Sequence, residues 1–363
     1  MSLEYFNPVR SVYGVGALSS LPGLLGSQRA VLVTFPEARA LGLVARVEAL
    51  LKDRLRGVID DLQPNPDVAE LSGQHEAFWR DAGDVETIIA LGGGSAIDTA
   101  KALMVGTSSG RFDEIVAALS AGRALEPARV KRLIAVPTTA GTGSEVTPWA
   151  TIWDRQRQVK HSLHLAETWP SVAVVDPELM LSLPAGVTLQ SGLDALSHAL
   201  EAIWNVNATP LSDTFAVAAA REILAALPAL MQQPASIMLR ARMALAALKA
   251  GMAFSNTRTA LAHSISYEMT LRYGLPHGIA CSFSLPMVLE RARGRSAERD
   301  RVLSEALGPL NDAPQRLASF IEQLGVKTRF ADYGISDEQA DRMVAHALTG
   351  ARGRNFIGAL EAA

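Results

Sequence analysis

The sequence predicts a two-part chain, an α/β half built on a mostly parallel sheet followed by an all-helical half. Three features lead there. In the first half, short β-branched runs alternate with stretches of helical periodicity, as in strands that return to one sheet through crossover helices. At 181–188 the run LSLPAGVT is broken by Pro and Gly, which suits a connection between domains. Beyond it helical periodicity runs almost everywhere and no convincing strand is found. A boundary near Pro184 follows, with 1–183 as the α/β domain and 184–363 as the helical one. At 363 residues and 48% hydrophobic, the chain has enough apolar material for two cores.

Candidate strands lie at 30–34, 58–62, 87–91, 133–136 and 172–175, with helical patterns between several of them near 37–55, 67–82 and 95–106. The strand at 87–91 runs into GGGSAIDTAK at 92–101. Consecutive glycines let a backbone approach a ligand closely, Ser95 is placed to cap the next helix, and Asp98 completes a variant of the capping box. The helix N-terminus then offers free N–H groups to an anion such as a pyrophosphate. A glycine-rich strand-to-helix turn without a ligand fits the same residues. After the strand at 133–136 comes PTTAGTGSEVT at 137–147, a second loop, crowded with hydroxyls and glycine. Two such loops at the carboxyl edge of a parallel sheet suit a large phosphorylated ligand, and a dinucleotide fits.

In the helical half the segment GLDALSHALEAIW, 192–204, carries Asp194, His198 and Glu201 on one edge of an otherwise apolar helix. At 3.6 residues per turn these three share a narrow stripe, while Leu193, Leu196, Leu200, Ile203 and Trp204 demand burial around them. A buried carboxylate needs a cation close by, and an Asp/His pair at i,i+4 is half of a metal site. His263, in the apolar pattern ALAHSISYEM, and His277, in the loop YGLPHGIACS that leads into another helix, would complete one carboxylate and three imidazoles for a divalent transition metal. Glu201 suits a hydrogen bond to a ligand, or a buried pair, better than direct ligation. His75, His161, His164 and His346 lack such surroundings and are expected at the surface.

Composition narrows the partners. With 34 basic and 37 acidic residues, net charge −3, and no basic run interleaved with aromatics, nucleic acid is not an expected partner. The N-terminus lacks a signal-peptide pattern, and the Ala/Leu-rich stretches near 214–231 and 238–254 are interrupted by charges, so no membrane span is expected and the cytoplasm is the expected compartment. Cys281 is the single cysteine; it rules out an internal disulfide and, on this reading, a thiolate metal site. A small polar substrate and a homodimer complete the expectation.

Taken together these motifs resemble the iron-containing, group III alcohol dehydrogenase family, from FNPVRSVYGVGAL at the start through NPD at 65–67, GGGSAIDTAK, PTTAGTGSEVT, VVDPELM at 174–180, GLDALSHALEA and GMAFSN at 251–256 to the His263/His277 pair. The resemblance implies a dinucleotide-binding α/β domain, a helical metal-binding domain, and a metal and nicotinamide in the cleft between them. It implies Asp194, His198, His263 and His277 as ligands of Fe2+, or of Zn2+, which His-rich sites hold more tightly. Gly93, Gly94, Ser95, Asp98, Thr138, Thr139, Thr142 and Lys160 would contact NAD or NADP. The implied reaction is hydride transfer between the nicotinamide and a small aldehyde or alcohol, with the metal polarising the carbonyl.

The chain departs from many relatives at four places. Phe35 stands where an Asp often binds the ribose hydroxyls, which leaves NAD and NADP both open. Tyr267 stands where a proton-relaying His is common; a phenol of ordinary pKa about 10 donates a hydrogen bond but is a poor base at neutral pH. Arg258 and Trp149 replace smaller residues and, with Phe254, are the candidate substrate contacts. A guanidinium there favours an aldehyde bearing a carboxylate or phosphonate, and the pattern at 264–278 resembles the phosphonate-associated branch, which reduces phosphonoacetaldehyde. Two rivals remain: a lyase of the dehydroquinate-synthase type on the same fold, which needs a cluster of Lys and Arg, and a metal- or nucleotide-binding protein without turnover.

Overall fold

The computed structural model describes residues 3–359. It divides into two compact units, one comprising Pro8–Thr139 and Ser144–Ser182, the other Met1–Asn7, Ala140–Gly143 and Leu183–Ala363. The units are therefore not contiguous in sequence, because four residues of the hydroxyl-rich loop belong with the helices.

In chain order the first unit carries β1 (Arg10–Tyr13), α1 (Leu21–Leu25), β2 (Ala30–Thr34), α2 (Leu43–Leu51), β3 (Leu55–Ile59), α3 (Val68–Asp81), β4 (Thr87–Gly92), α4 (Gly94–Met104), β5 (Val105–Gly106), α5 (Asp113–Ser120), β6 (Arg129–Val130), β7 (Arg132–Pro137), β8 (Ala150–Asp154), β9 (Val159–Leu163) and β10 (Val172–Val175). Six strands form one parallel sheet in the order β1-β10-β7-β4-β2-β3. Its central strands are buried on both faces. Val31, Ile88, Ala90, Leu133 and Ala135 enter one core, while Leu32, Ile89, Leu91, Ile134 and Val136 enter the other, which is why these strands read as continuous apolar runs. Strand order reverses at β2, whose neighbours are β3 and β4; such a switch point is where parallel α/β sheets generally receive a ligand.

Strands 30–34 and 172–175 occur with the expected bounds, and 87–91 and 133–136 each gain a residue or two. The strand expected at 58–62 lies at Leu55–Ile59; it holds Arg56 and Gly57, which blur its apolar pattern. The helix expected over 37–55 shrinks to Leu43–Leu51, because Gly42 (φ 71) precedes it and Lys52 (φ 51) ends it, both in the left-handed region. The edge strand β1 and the two short antiparallel pairs, β5 with β6 and β8 with β9, were not expected from the sequence: β1 is mostly exposed and its four residues, RSVY, show no apolar run.

The second unit holds α6 (Ala185–Ile203), α7 (Pro210–Gln232), α8 (Ile237–Thr257), α9 (Leu261–Tyr273), α10 (His277–Ser282), α11 (Leu285–Ala292), α12 (Ala297–Leu307), α13 (Ala313–Gln323) and α14 (Asp337–Thr349). After β10 no named strand occurs among the described residues. Helices α6, α7 and α8 pack through small residues: a Cβ on Gly192 would come within 2.7 Å of Leu227, so glycine there permits the close approach. By length and apolar composition α7 could cross a membrane. One face of it enters the core of this unit, with Ala216, Ala219, Ile223, Leu227 and Leu230 buried and Asp213 paired with the buried Arg299 at 2.7 Å.

Candidate metal centre

Helix α6 is buried along its whole C-terminal half, so Asp194, His198 and Glu201 point into protein and not into water. Around Asp194 Oδ1 stand His263 Nε2 at 3.4 Å, His198 Nε2 at 3.7 Å and His277 Nε2 at 3.9 Å. The four residues singled out in the sequence thus converge from α6, α9 and α10. Asp194 Oδ1 and His263 Nε2 are buried without a hydrogen-bond partner, a costly arrangement unless a cation satisfies both. This donor set, one carboxylate oxygen and imidazole nitrogens, suits a divalent transition ion.

Two of the three imidazoles, His263 and His198, are aimed by their second nitrogen. Glu201 Oε2 accepts from His263 Nδ1 at 2.6 Å, and Oε1 accepts from the His263 backbone N–H at 3.1 Å. The carbonyl of Gly141 accepts from His198 Nδ1 at 3.3 Å, so Nδ1 carries the hydrogen and Nε2 faces the carboxylate. Phe254 stacks on the His198 ring at 4.1 Å, and His263 stacks on its other neighbour side at 4.7 Å. His277 opens α10 after a left-handed Gly274 (φ 68). The next residue, Gly278, is placed so that a Cβ would lie 2.0 Å from the Gln190 carbonyl oxygen of α6; only glycine lets α10 seat there.

Electrostatics follow the geometry. Burial pushes the Asp194 carboxyl up, but His198, His263 and His277 outweigh it and hold it well below the ordinary carboxylate range. Burial brings His198 down to about 4, leaving it neutral, as a ligand must be. Burial lowers His263 too, yet Cys281, Glu201 and Asp194 raise it well above the usual imidazole value.

The single cysteine lies nearer the cluster than the sequence suggests. A lone thiol was read as excluding sulfur from any metal site, but ligand atoms of Asp194, His263, His277 and Cys281 all lie within 4.8 Å of one another. Cys281 sits one helical turn after His277, its Sγ 3.6 Å from both ring nitrogens. The i,i+4 spacing of His277 and Cys281 was the available signal. Gly141 and Gly278 were also missed as aiming residues; nothing in sequence marks a carbonyl that accepts from a distant ring.

In the sheet unit, Gly93 is the N-cap of α4 and no side chain caps that helix, which corrects the capping-box expectation. Ser95 Oγ instead accepts from the Asn65 N–H at 3.1 Å, and Asp98 accepts from Ser144 Oγ at 2.7 Å and Thr151 N–H at 2.9 Å. Asp98 therefore ties the two loops together. Beneath them the buried Lys101 ammonium donates to Ser144 O, Ser144 Oγ and Trp149 O. The first amides of α4 lack partners within the helix, a Cβ on Gly93 would meet Thr139 at 3.3 Å, and Thr139 Oγ1 is buried without a partner. These features fit a pyrophosphate held against Gly93, Gly94 and Thr139. Thr138 N–H donates to Gly92 O at 3.0 Å, and Lys160 on β9 lies 5.1 Å from the Trp153 ring centre. Thr142 belongs with the helical unit.

Among the candidate substrate contacts, Phe254 lies against the metal cluster, and Arg258 follows one turn later at the end of α8. Arg258 has φ 66 and ψ 174, a conformation nearly reserved for glycine that costs of order 1–3 kcal/mol. It is held there by three hydrogen bonds: its N–H donates to Phe254 O at 2.7 Å, while its carbonyl accepts from Asn205 Nδ2 at 3.1 Å and Thr257 Oγ1 at 3.0 Å. Arg258 is exposed and forms no ion pair among the described residues. Trp149 opens onto β8 in the sheet unit with its ring 5.5 Å from that of His164. Tyr267, one turn past His263, has the Arg352 guanidinium 4.9 Å from its ring centre. His75 and His161 are not at the surface as expected. His75 is fully buried, with Nε2 2.7 Å from Val105 O, and His161 lies buried beside Asp154; each sits on the inward face of an element whose outward face set the polar appearance. His164 and His346 are exposed.

Comparison with known proteins places the chain among enzymes. Residues 8–177 match the family described as iron-containing alcohol dehydrogenase, and residues 188–359 match the C-terminal part of the Fe-containing alcohol dehydrogenase family. An NAD-dependent methanol dehydrogenase of Bacillus methanolicus is 33% identical over 95% of this chain and 93% of its own length. A 1,3-propanediol dehydrogenase of Citrobacter freundii is 30% identical over 95% and 92%. The crystal structure of a sulfoacetaldehyde reductase from Bifidobacterium kashiwanohense in complex with NAD+ superposes with a TM-score of 0.87 at 28% identity, covering 98% of this chain and 94% of that one.

Proposed function

Because this chain belongs to the iron-containing alcohol dehydrogenase family, we propose that it interconverts an alcohol and a small anionic aldehyde, with NAD(P) as the hydride carrier. The α/β unit is assigned the dinucleotide and the helical unit the metal. When bound, the cation supplies Lewis acidity toward a carbonyl oxygen and the nicotinamide gives or takes the hydride.

The chain's own residues do the rest. Asp194, His198, His263 and His277 hold the cation, while Glu201 and the Gly141 carbonyl keep two imidazole nitrogens turned toward it. Phe254 covers one face of His198 and keeps water from it. Gly93, Gly94, Ser95, Thr138 and Thr139 form the cradle for the pyrophosphate, with Asp98 acting through Ser144 to fix the loops. Tyr267 is assigned as a hydrogen-bond donor near the reacting oxygen, not as a base. The dehydroquinate-synthase alternative needs several free cations, and Arg272 is already paired with Glu268 at 2.6 Å.

The anionic end of the substrate is assigned to Arg258. One observation carries this: a strained, clamped backbone presents an exposed guanidinium one turn from the residue that stacks on His198. Sulfoacetaldehyde, named for the similar reductase, pairs an aldehyde with an acidic group in the same way, and a phosphonate or carboxylate offers equivalent acceptors. Replacing Arg258 with Ala should raise KM for sulfoacetaldehyde or phosphonoacetaldehyde by roughly ten- to a hundredfold, the worth of one charged hydrogen bond at about 1.5–3 kcal/mol. KM for propanal should change little. Equal effects on charged and neutral aldehydes would remove the assignment.

A further inference from the structure

Cys281 is completely buried, yet its sulfur is not surrounded only by hydrocarbon as a core-filling cysteine would be. Helix α10 carries both His277 and Cys281, and the four-residue spacing puts both on one side. That side faces Asp194 and His263, residues that are 3% and 4% exposed and whose Oδ1 and Nε2 are buried with no partner. Sγ is 3.6 Å from the His277 nitrogens and belongs to the set of ligand atoms lying within 4.8 Å of one another. His198 is not in that set, although its Nε2 reaches Asp194 Oδ1 at 3.7 Å.

We propose that Cys281 is a further donor at this metal centre, making it a mixed oxygen, nitrogen and sulfur site. This rests on the metal-site reading above. A thiolate is soft and polarisable, so it strengthens binding of borderline ions such as Zn2+ and Co2+ far more than of hard ions such as Mn2+. The site of this chain then discriminates among metals by more than imidazole count. Coordination requires the thiolate, so loading releases the thiol proton to solvent and no redox change occurs.

Cobalt tests this because its visible bands report that it is bound, and a separate near-ultraviolet charge-transfer band reports a sulfur ligand. The full-length protein is stripped with a chelator and reloaded with Co2+. Both sets of bands are expected in the native chain; Cys281→Ser should keep the visible bands and lose the near-ultraviolet one. Cys281→Ser should also weaken Zn2+ binding by on the order of tenfold while moving Mn2+ affinity much less. Visible bands without the sulfur band in the native protein would overturn the proposal and leave the metal site standing. Absence of all cobalt bands would overturn both. The native spectrum alone decides, so a poorly folded variant does not blunt the test.

Discussion

Glu201 acts through another residue. It is completely buried and spends both oxygens on His263, which fixes the ring's tautomer and raises its basicity toward a metal. Glu201→Gln keeps the shape and removes the charge. It should lower Zn2+ or Fe2+ affinity by about 10- to 100-fold, read by competition against a chelating indicator, with little change in the circular dichroism of the protein. An unchanged affinity would show that Glu201 only fills space. At this scale the stripe of Asp194, His198 and Glu201 was legible, because an apolar helix with three polar residues at i, i+4 and i+7 leaves few alternatives. Cys281 was not, because one cysteine has no periodicity and its meaning depends on where α10 is seated. The buried states of His75 and His161 were hidden for a related reason: mixed polar surroundings in sequence do not reveal which face of a helix or hairpin turns inward.

Among the elements, α10 depends most on a single atom's absence. It has six residues, too few to be stable by itself, and its position comes from packing against α6 at Gly278. Gly278→Ala would set a methyl group 2.0 Å from the Gln190 carbonyl oxygen, so the backbone must move and His277 must move with it. Overpacking of this kind typically costs about 1–3 kcal/mol. The variant should melt at a lower temperature and, after stripping and reloading, hold less than the full equivalent of metal by elemental analysis. Full metal content with native affinity would mean that α10 does not position His277. The sequence disclosed the elements that are apolar throughout, such as β2 and β10, and the long helices α6 and α3. It concealed β1, β8 and β9, because half-exposed strands mix charges with aliphatics and owe their form to pairing partners far along the chain. The same limit applied to the cap of α4, where Ser95 and Asp98 have the right spacing for a capping box but are drawn to Asn65, Ser144 and Thr151 instead.

For the molecule as a whole, the proposed function gives the two units separate ligand duties, and each ligand should then stabilise the unit that receives it. A ligand that binds only the folded form contributes about 2.7 kcal/mol at a hundred times its dissociation constant. That stabilisation is local where opening is local, since exchange of amide hydrogens reports cooperative segments and not only global unfolding. Metal added to the stripped protein ties together three helices that otherwise keep a buried carboxylate facing imidazoles, so the amides of α6, α9 and α10 should gain protection. NAD+ should act elsewhere, slowing exchange at the first turn of α4 and at residues 137–139, where helix amides and the Thr139 hydroxyl are free to bind a pyrophosphate. Hydrogen exchange read by mass spectrometry separates the two patterns, because these segments fall in different peptides. Metal-induced protection confined to the sheet unit, or NAD+-induced protection absent from the start of α4, would overturn the division. The expected pattern also distinguishes an enzyme with two assembled sites from a protein that keeps only one, because loss of either site removes one pattern and leaves the other intact.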